Sequence, residues 1–230
     1  MTPSSPIPEE GLVLAFDKPA DWTSFDVVRK VRRLSGVKKV GHAGTLDPFA
    51  TGILLICLGR ATKRSDELMA LPKEYIADIA LGAETDTMDR TGTATLEKPV
   101  PPFDTAAVEA ACARFTGEIE QEIPAFSAAK VNGQRSYRLA RAGKPVPQRF
   151  KTVAVYEIEV LEVAPERLRI RVACGRGTFI RTLARDIARA LGTAGHVAEL
   201  VRTRVGDYAL ESALSVAEYE SQQTGTDVSQ

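Results

Sequence analysis

Residues 41–58 read GHAGTLDPFATGILLICL. Glycines and a central proline break any regular pattern across residues 41–52, which are therefore predicted to form a loop. The unbroken apolar run at 53–58 is predicted to be a buried strand. Toward the N-terminus, residues 11–17 read as an apolar strand stopped by Lys18-Pro19. Thr23 or Ser24 then caps an amphipathic helix through Leu34, in which Val27, Val28, Val31 and Leu34 fall at helical spacing.

Toward the C-terminus the pattern alternates without an internal repeat. Residues 61–71 are predicted to be helical. Residues 74–81 and 93–97 read as paired strands around a polar connection holding Asp86 and Asp89, and residues 105–115 as a helix. Short strands at 119–131 are broken at Pro124, and a short basic helix at 134–142 ends at Gly143. A strand pair at 151–163 and 167–174 precedes a helix at 178–191 closed by Gly192. This order is neither a βαβ series nor all-β, and it predicts an α+β domain around a mixed, mostly antiparallel sheet flanked by helices. One core is expected over residues 11–220, with a frayed start at 1–10 and a polar, disordered tail at 221–230.

Composition narrows the function classes. The chain is 44% hydrophobic and 26% charged, and no apolar run approaches the roughly 20 residues needed to span a bilayer. The N-terminus has neither a basic n-region nor an apolar h-region, which predicts a cytoplasmic protein. Cys57, Cys112 and Cys174 lie far apart without a CxxC pair, so they are expected to be buried thiols rather than disulfides or zinc ligands. With His42 and His196 the only histidines, a His-rich metal centre is excluded. Chemistry is left to carboxylates, Tyr, Lys and Arg.

Net charge is zero, but its distribution is not even. Residues 123–156 carry seven basic residues and no acid, residues 167–189 carry seven arginines against Asp186, and residues 22–44 carry six basic residues against Asp26. Segregation of this kind suits a phosphate backbone, although each segment alone also suits a solvated face.

An Asp-Pro pair in a glycine-rich loop is, by itself, compatible with a plain turn. What singles out Asp47 is its company: His42 lies in the same segment, and the glycines permit close approach to a ligand. Arg181, Arg185 and Arg189, spaced by four, could equally form a solvated helical stripe, and Tyr75, Phe179 and Leu200 could be core residues. Lys18 and Asp86 fit surface turns, and His196 fits a structural histidine. The CGRGT segment at 174–178 lacks the third glycine of a dinucleotide fingerprint, and no phosphate-binding GxxxxGK[ST] occurs.

GHAGTLDPFATG closely resembles the active-site loop of bacterial tRNA pseudouridine-55 synthases of the TruB type. FDKP before WTSFDVV, LGRATK, KEYIADIALGAETDTMDRTG, IPAFSAAKVNGQRSYRLARAG and CGRGTFIRTLARDIA resemble further segments of that family in the same order, spanning residues 12–204. The resemblance implies the pseudouridine synthase fold, Asp47 as the catalytic aspartate and Arg181 as its partner. It also implies His42 as the residue filling the space of an extruded uridine, with Tyr75, Phe179 and Leu200 against the uracil. Phe179 stands where the family more often has tyrosine, so a hydroxyl contact is lost there. The implied reaction is uridine-to-pseudouridine isomerisation at position 55 in the TΨC loop of tRNA.

That chemistry fits these residue types. The N1–C1′ bond is broken, the uracil turns, and the sugar rejoins through C5, with no redox change; no cofactor and no metal are expected. A carboxylate can serve as nucleophile or base, and a nearby guanidinium favours its ionised form. A looped uridine must be flipped out, at a cost of a few kcal/mol that stacking offsets. The expected partner is the tRNA T-arm, bound by a monomer. No separate C-terminal RNA-binding domain is expected, so affinity would rest on the catalytic domain's own basic segments and weaken with salt. A non-enzymatic tRNA-binding or folding module is the alternative, and a binder would tolerate loss of Asp47. A glycosidase-like hydrolase would commonly need two carboxylates.

Overall fold

The computed structural model describes residues 8–127, 129–131 and 134–225. Most of the start read as frayed and the end of the polar tail lie outside these residues. In chain order the first elements are β1 (Leu12–Lys18), α1 (Ser24–Ser35), β2 (Val40–Ala43), β3 (Thr51–Leu58), a 3-10 turn (Gly59–Arg64) and α2 (Ser65–Ala70). There follow β4 (Lys73–Leu81), β5 (Ala83–Thr85), β6 (Ala94–Glu97), α3 (Thr105–Ala113), β7 (Gly117–Glu122), β8 (Lys130–Val131), β9 (Gln134–Arg135) and α4 (Ser136–Arg141). The last are β10 (Phe150–Ala164), β11 (Arg167–Cys174), α5 (Ile180–Ala190), β12 (Gly195–Val205), β13 (Tyr208–Ala209), a 3-10 turn (Leu210–Ser212), β14 (Leu214–Ser215) and α6 (Val216–Thr224). The fold is α+β with mostly antiparallel pairing, as the sequence predicts.

The chain divides into two compact units, residues 74–200 forming one and the flanking segments the other. In the flanking unit β3 is the organising strand. It runs antiparallel to β1, from Leu12 opposite Leu58 to Lys18 opposite Gly52, and antiparallel to β2, with His42 opposite Ile56. It also meets β12 in parallel at Val201 and Arg202. One face of β3 places Leu54, Ile56 and Leu58 against Phe16, Val27, Val28, Val31 and Tyr219. The other places Ile53, Leu55 and Cys57 against Ala43, Ala61, Leu68 and Val205. Burial on both faces is why this strand is apolar throughout rather than alternating. Truncating Ile56 to alanine would cost about 2–5 kcal/mol.

Helix α1 begins at a reciprocal cap. The Asp26 amide donates to the Thr23 hydroxyl, and the Thr23 amide donates to the Asp26 carboxylate. Donation from the Thr23 hydroxyl, and then from its amide, holds the Asp26 carboxyl below its ordinary range. The helix ends on Gly36 in the left-handed region.

In the central unit the strand order is β12-β4-β11-β10-β7. Strand β10 is long and antiparallel to both neighbours, with two register shifts against β11. Helix α3 packs on β10, and α5 touches α3 and β7.

Several expectations are corrected. Residues 41–43 are strand, so only the part from Gly44 to Ala50 is loop, and His42 sits on β2 rather than beside Asp47. Residues 94–97 pair with β5, not with residues 74–81, because Gly82 at φ 98° turns the chain before the hairpin forms. Residues 59–70 split into a 3-10 turn and a short α-helix. Helix α5 starts at Ile180, and α6 extends through Thr224 into the segment read as polar tail. All three cysteines are buried.

Candidate active site

The Asp47 loop is the connection of the β2–β3 hairpin. Two glycines in the left-handed region bracket it, Gly44 at φ 91° and Gly52 at φ 95°. A Cβ at Gly52 would stand 2.3 Å from the Arg202 carbonyl oxygen, so no side chain fits there. The fully buried Arg202 ties both ends together, its guanidinium donating to the Ile53 carbonyl at 2.6 Å and the Gly44 carbonyl at 3.1 Å.

A second buried cation holds the centre of the loop. Lys18 is 0% exposed, and its ammonium donates to the carbonyls of Pro19 and Trp22 at 2.8 Å and of Pro48 at 3.0 Å. Burial pushes its pKa down to about 8, opposed by the negative charges of Asp21, Asp47 and Asp17. The Leu46 amide donates to the Ser24 hydroxyl at 2.9 Å, and the Asp21 amide to the Pro48 carbonyl at 2.8 Å. Leu46, Phe49 and Ala50 are buried, whereas Asp47 keeps partial access to solvent. The loop is thus anchored by buried Leu46, Phe49 and Ala50 and by the bonds to Pro48, with Asp47 on the turn between them.

In the central unit, Arg181 occupies the first turn of α5. Its guanidinium donates to the Thr87 carbonyl at 2.6 Å and the Phe126 carbonyl at 2.7 Å. It also lies 3.5 Å from the Asp89 carboxylate, both side chains being nearly inaccessible. Asp89 is itself fixed by the hydroxyls of Thr87 and Thr91 and by the Thr91 amide. The arginine series is therefore no solvated stripe. Arg185 pairs with Glu122 and Asp186, and Arg189 pairs with Glu84.

Phe179 precedes the helix and is held through its backbone. The Gln121 side chain accepts from the Phe179 amide at 2.7 Å and donates to its carbonyl at 3.0 Å. Lys151 stands over the Phe179 ring, 4.5 Å from its centroid, and donates to the Gly177 carbonyl. Burial, reinforced by Arg176, holds the Lys151 pKa below its usual value. Tyr75 on β4 and Leu200 on β12 are both buried.

Within the flanking unit His42 and Asp47 thus belong to one hairpin, and within the central unit Phe179 and Arg181 belong to one helix start. Sequence reasoning missed Lys18, Arg202, Asp89 and Gln121. The DKP segment reads as a surface turn for Lys18, yet it lies two residues after the buried Phe16 on the same strand and so faces inward. His196 holds the structural role predicted for it, its Nδ1 2.9 Å from the Ala83 carbonyl. Asp86 likewise accepts from the Thr93 amide in a turn. Among the described residues no cluster of His, Cys, Asp and Glu suited to a metal ion occurs.

Comparisons with known proteins agree on one family. A family model described as TruB family pseudouridylate synthase (N terminal domain) matches residues 32–180, and one described as tRNA pseudouridylate synthase B C-terminal domain matches residues 181–226. A protein of Phocaeicola vulgatus named tRNA pseudouridine synthase B is 51% identical over 217 residues, 92% of either chain. One of the same name from Thermobifida fusca is 45% identical, over 94% of this chain and 76% of its own. A solved structure titled as a Cbf5-Nop10-Gar1 complex matches with a TM-score of 0.71 at 29% identity, over 99% of this chain. This chain spans only 61% of that neighbour.

Proposed function

The chain belongs to the TruB family of pseudouridylate synthases and isomerises uridine to pseudouridine in tRNA, and we propose that it acts at position 55 in the TΨC loop with Asp47 as its catalytic carboxylate. The observation that carries this reading is the Asp47 turn, pinned through buried Lys18 and Arg202 while Asp47 itself keeps partial access to solvent. Preorganisation of this kind lets a carboxylate act without rearrangement.

The carboxylate initiates cleavage of the N1–C1′ bond of the flipped uridine. The uracil then turns, C5 bonds to C1′, N1 gains a proton and the C5 proton leaves. Atoms and electrons balance without an external reagent, and the reaction runs without metal or cofactor. Arg181 is the cationic partner that the family resemblance implies for Asp47. Tyr75, Phe179 and Leu200 supply the apolar and aromatic surface for the base, and His42 occupies the place the uridine vacates.

The substrate is recognised through the T-arm by a monomer in the cytoplasm. No helix among the described residues is long and apolar enough to cross a membrane. The test is to incubate an unmodified tRNA transcript with the protein and map pseudouridine by carbodiimide-dependent primer extension. A single new stop at position 55 is expected, and no stop there would overturn the assignment.

A further inference from the structure

Beside the Asp47 loop, a groove of about 490 Å³ opens along α1, lined by Asp21, Trp22, Asp26, Arg29, Lys30 and Arg33. Its link to the loop is direct, since Asp21 adopts φ 64° and donates its amide to the Pro48 carbonyl at 2.8 Å. Resting on the tRNA reading above, we propose that this groove is a second RNA-binding surface. The cations of α1 hold phosphates of the tRNA, and Trp22 receives an unstacked base.

Charge and geometry support that occupant. Asp26, Arg29, Lys30 and Arg33 recur at helical spacing on the face of α1 opposite Val27, Val28 and Val31. The side chains of Arg29 and Arg33 are 70% and 71% exposed, and Lys38 and Lys39 continue the exposed cations past the helix end. The acids beside these cations form local caps and pairs with them. Asp26 caps α1 and pairs with Arg29, while Glu220 on α6 serves Lys30 at 2.5 Å and Arg33 at 4.0 Å. Exposed pairs of this sort are weak, and a polyanion competes for such arginines at low salt. Trp22 is half-buried against the α1 core and forms part of the groove wall, a combination suited to base stacking.

Trp22 is the only tryptophan in the chain, so all of its tryptophan emission comes from this groove. The experiment titrates unmodified tRNA into wild-type protein and into the Arg29→Ala/Arg33→Ala variant at several salt concentrations, following both binding and Trp22 fluorescence. The account expects quenching that saturates with binding. It also expects affinity about tenfold weaker in the double variant, and a salt dependence of log K shallower by about one to two counterions. Arg29→Lys/Arg33→Lys should retain most of the affinity. Binding within twofold of wild type at an unchanged salt slope, or emission indifferent to tRNA, overturns the groove. Tritium release from C5-labelled uridine by wild-type protein, run alongside, separates the two readings. Release with an unaffected double variant removes the groove alone, and absence of release removes the enzyme reading itself.

Discussion

Lys18 lies 3.0 Å from the carbonyl oxygen of Pro48, the residue immediately after Asp47, although the two are 30 positions apart in the chain. The contact makes a buried ammonium the internal post around which the Asp47 turn is wound. Removing it leaves the carbonyls of Pro19, Trp22 and Pro48 without that donor. Lys18→Met is expected to lower stability by about 2–4 kcal/mol and to reduce tritium release more than tRNA binding. Urea unfolding and a filter-binding assay check the two halves.

The same lysine gives a pH signature with a definite sign. Its native pKa of about 8 lies below the ordinary lysine value of 10.5, so between those values the unfolded chain holds the proton that the folded one has lost. Linkage then makes this group's contribution to stability rise with pH across that window, the cost of a buried charge being present below about pH 8. The stability gap between wild type and Lys18→Met should be larger at pH 9.5 than at pH 7.5 in urea titrations. A gap that narrows would contradict the assignment.

Gly52→Ala should cost about 2–4 kcal/mol, because its φ of 95° and the Arg202 backbone leave a methyl group nowhere to go. Gly143 has a φ of 65° but nothing within 4 Å of a Cβ, so Gly143→Ala should cost only about 1 kcal/mol. Thermal unfolding of the two variants side by side separates crowding from backbone strain.

Asp89→Asn removes the carboxylate beside the inaccessible Arg181 guanidinium. A loss of about 3–5 kcal/mol is expected. Gln121→Met removes both bonds to the Phe179 backbone and should loosen the start of α5, costing about 1–3 kcal/mol. Hydrogen exchange of the Phe179 amide is the direct readout, and protection equal to wild type would count against Gln121 as the clamp.

Much of the fold was legible because it follows one-dimensional rules. The Thr23 cap and the valines of α1, the two-faced apolar run of β3, and the β10–β11 pair about a polar turn all announce themselves locally. What escaped depends on partners far along the chain. Strand β12 buries Arg202, and nothing in GHVAELVRTRV marks that arginine as internal until Gly44 and Ile53 supply its acceptors. Residues 94–97 are exposed throughout, so no buried face chose β5 over β4 as their mate. Asp47 stood out through its loop and its family resemblance, whereas Lys18 and Gln121 act on backbone atoms and Asp89 on Arg181, distant in the chain. Backbone acceptors carry no signal in the residue types of a sequence.

The central claim is that the Asp47 carboxylate carries the isomerisation. Its most direct test is tritium release from C5-labelled uridine in an unmodified T-arm stem-loop, with wild type and Asp47→Asn measured under single-turnover conditions and RNA binding followed in parallel. The account predicts stoichiometric release by wild type and none above background by Asp47→Asn at near-equal affinity. Release by Asp47→Asn at a rate close to wild type would contradict it.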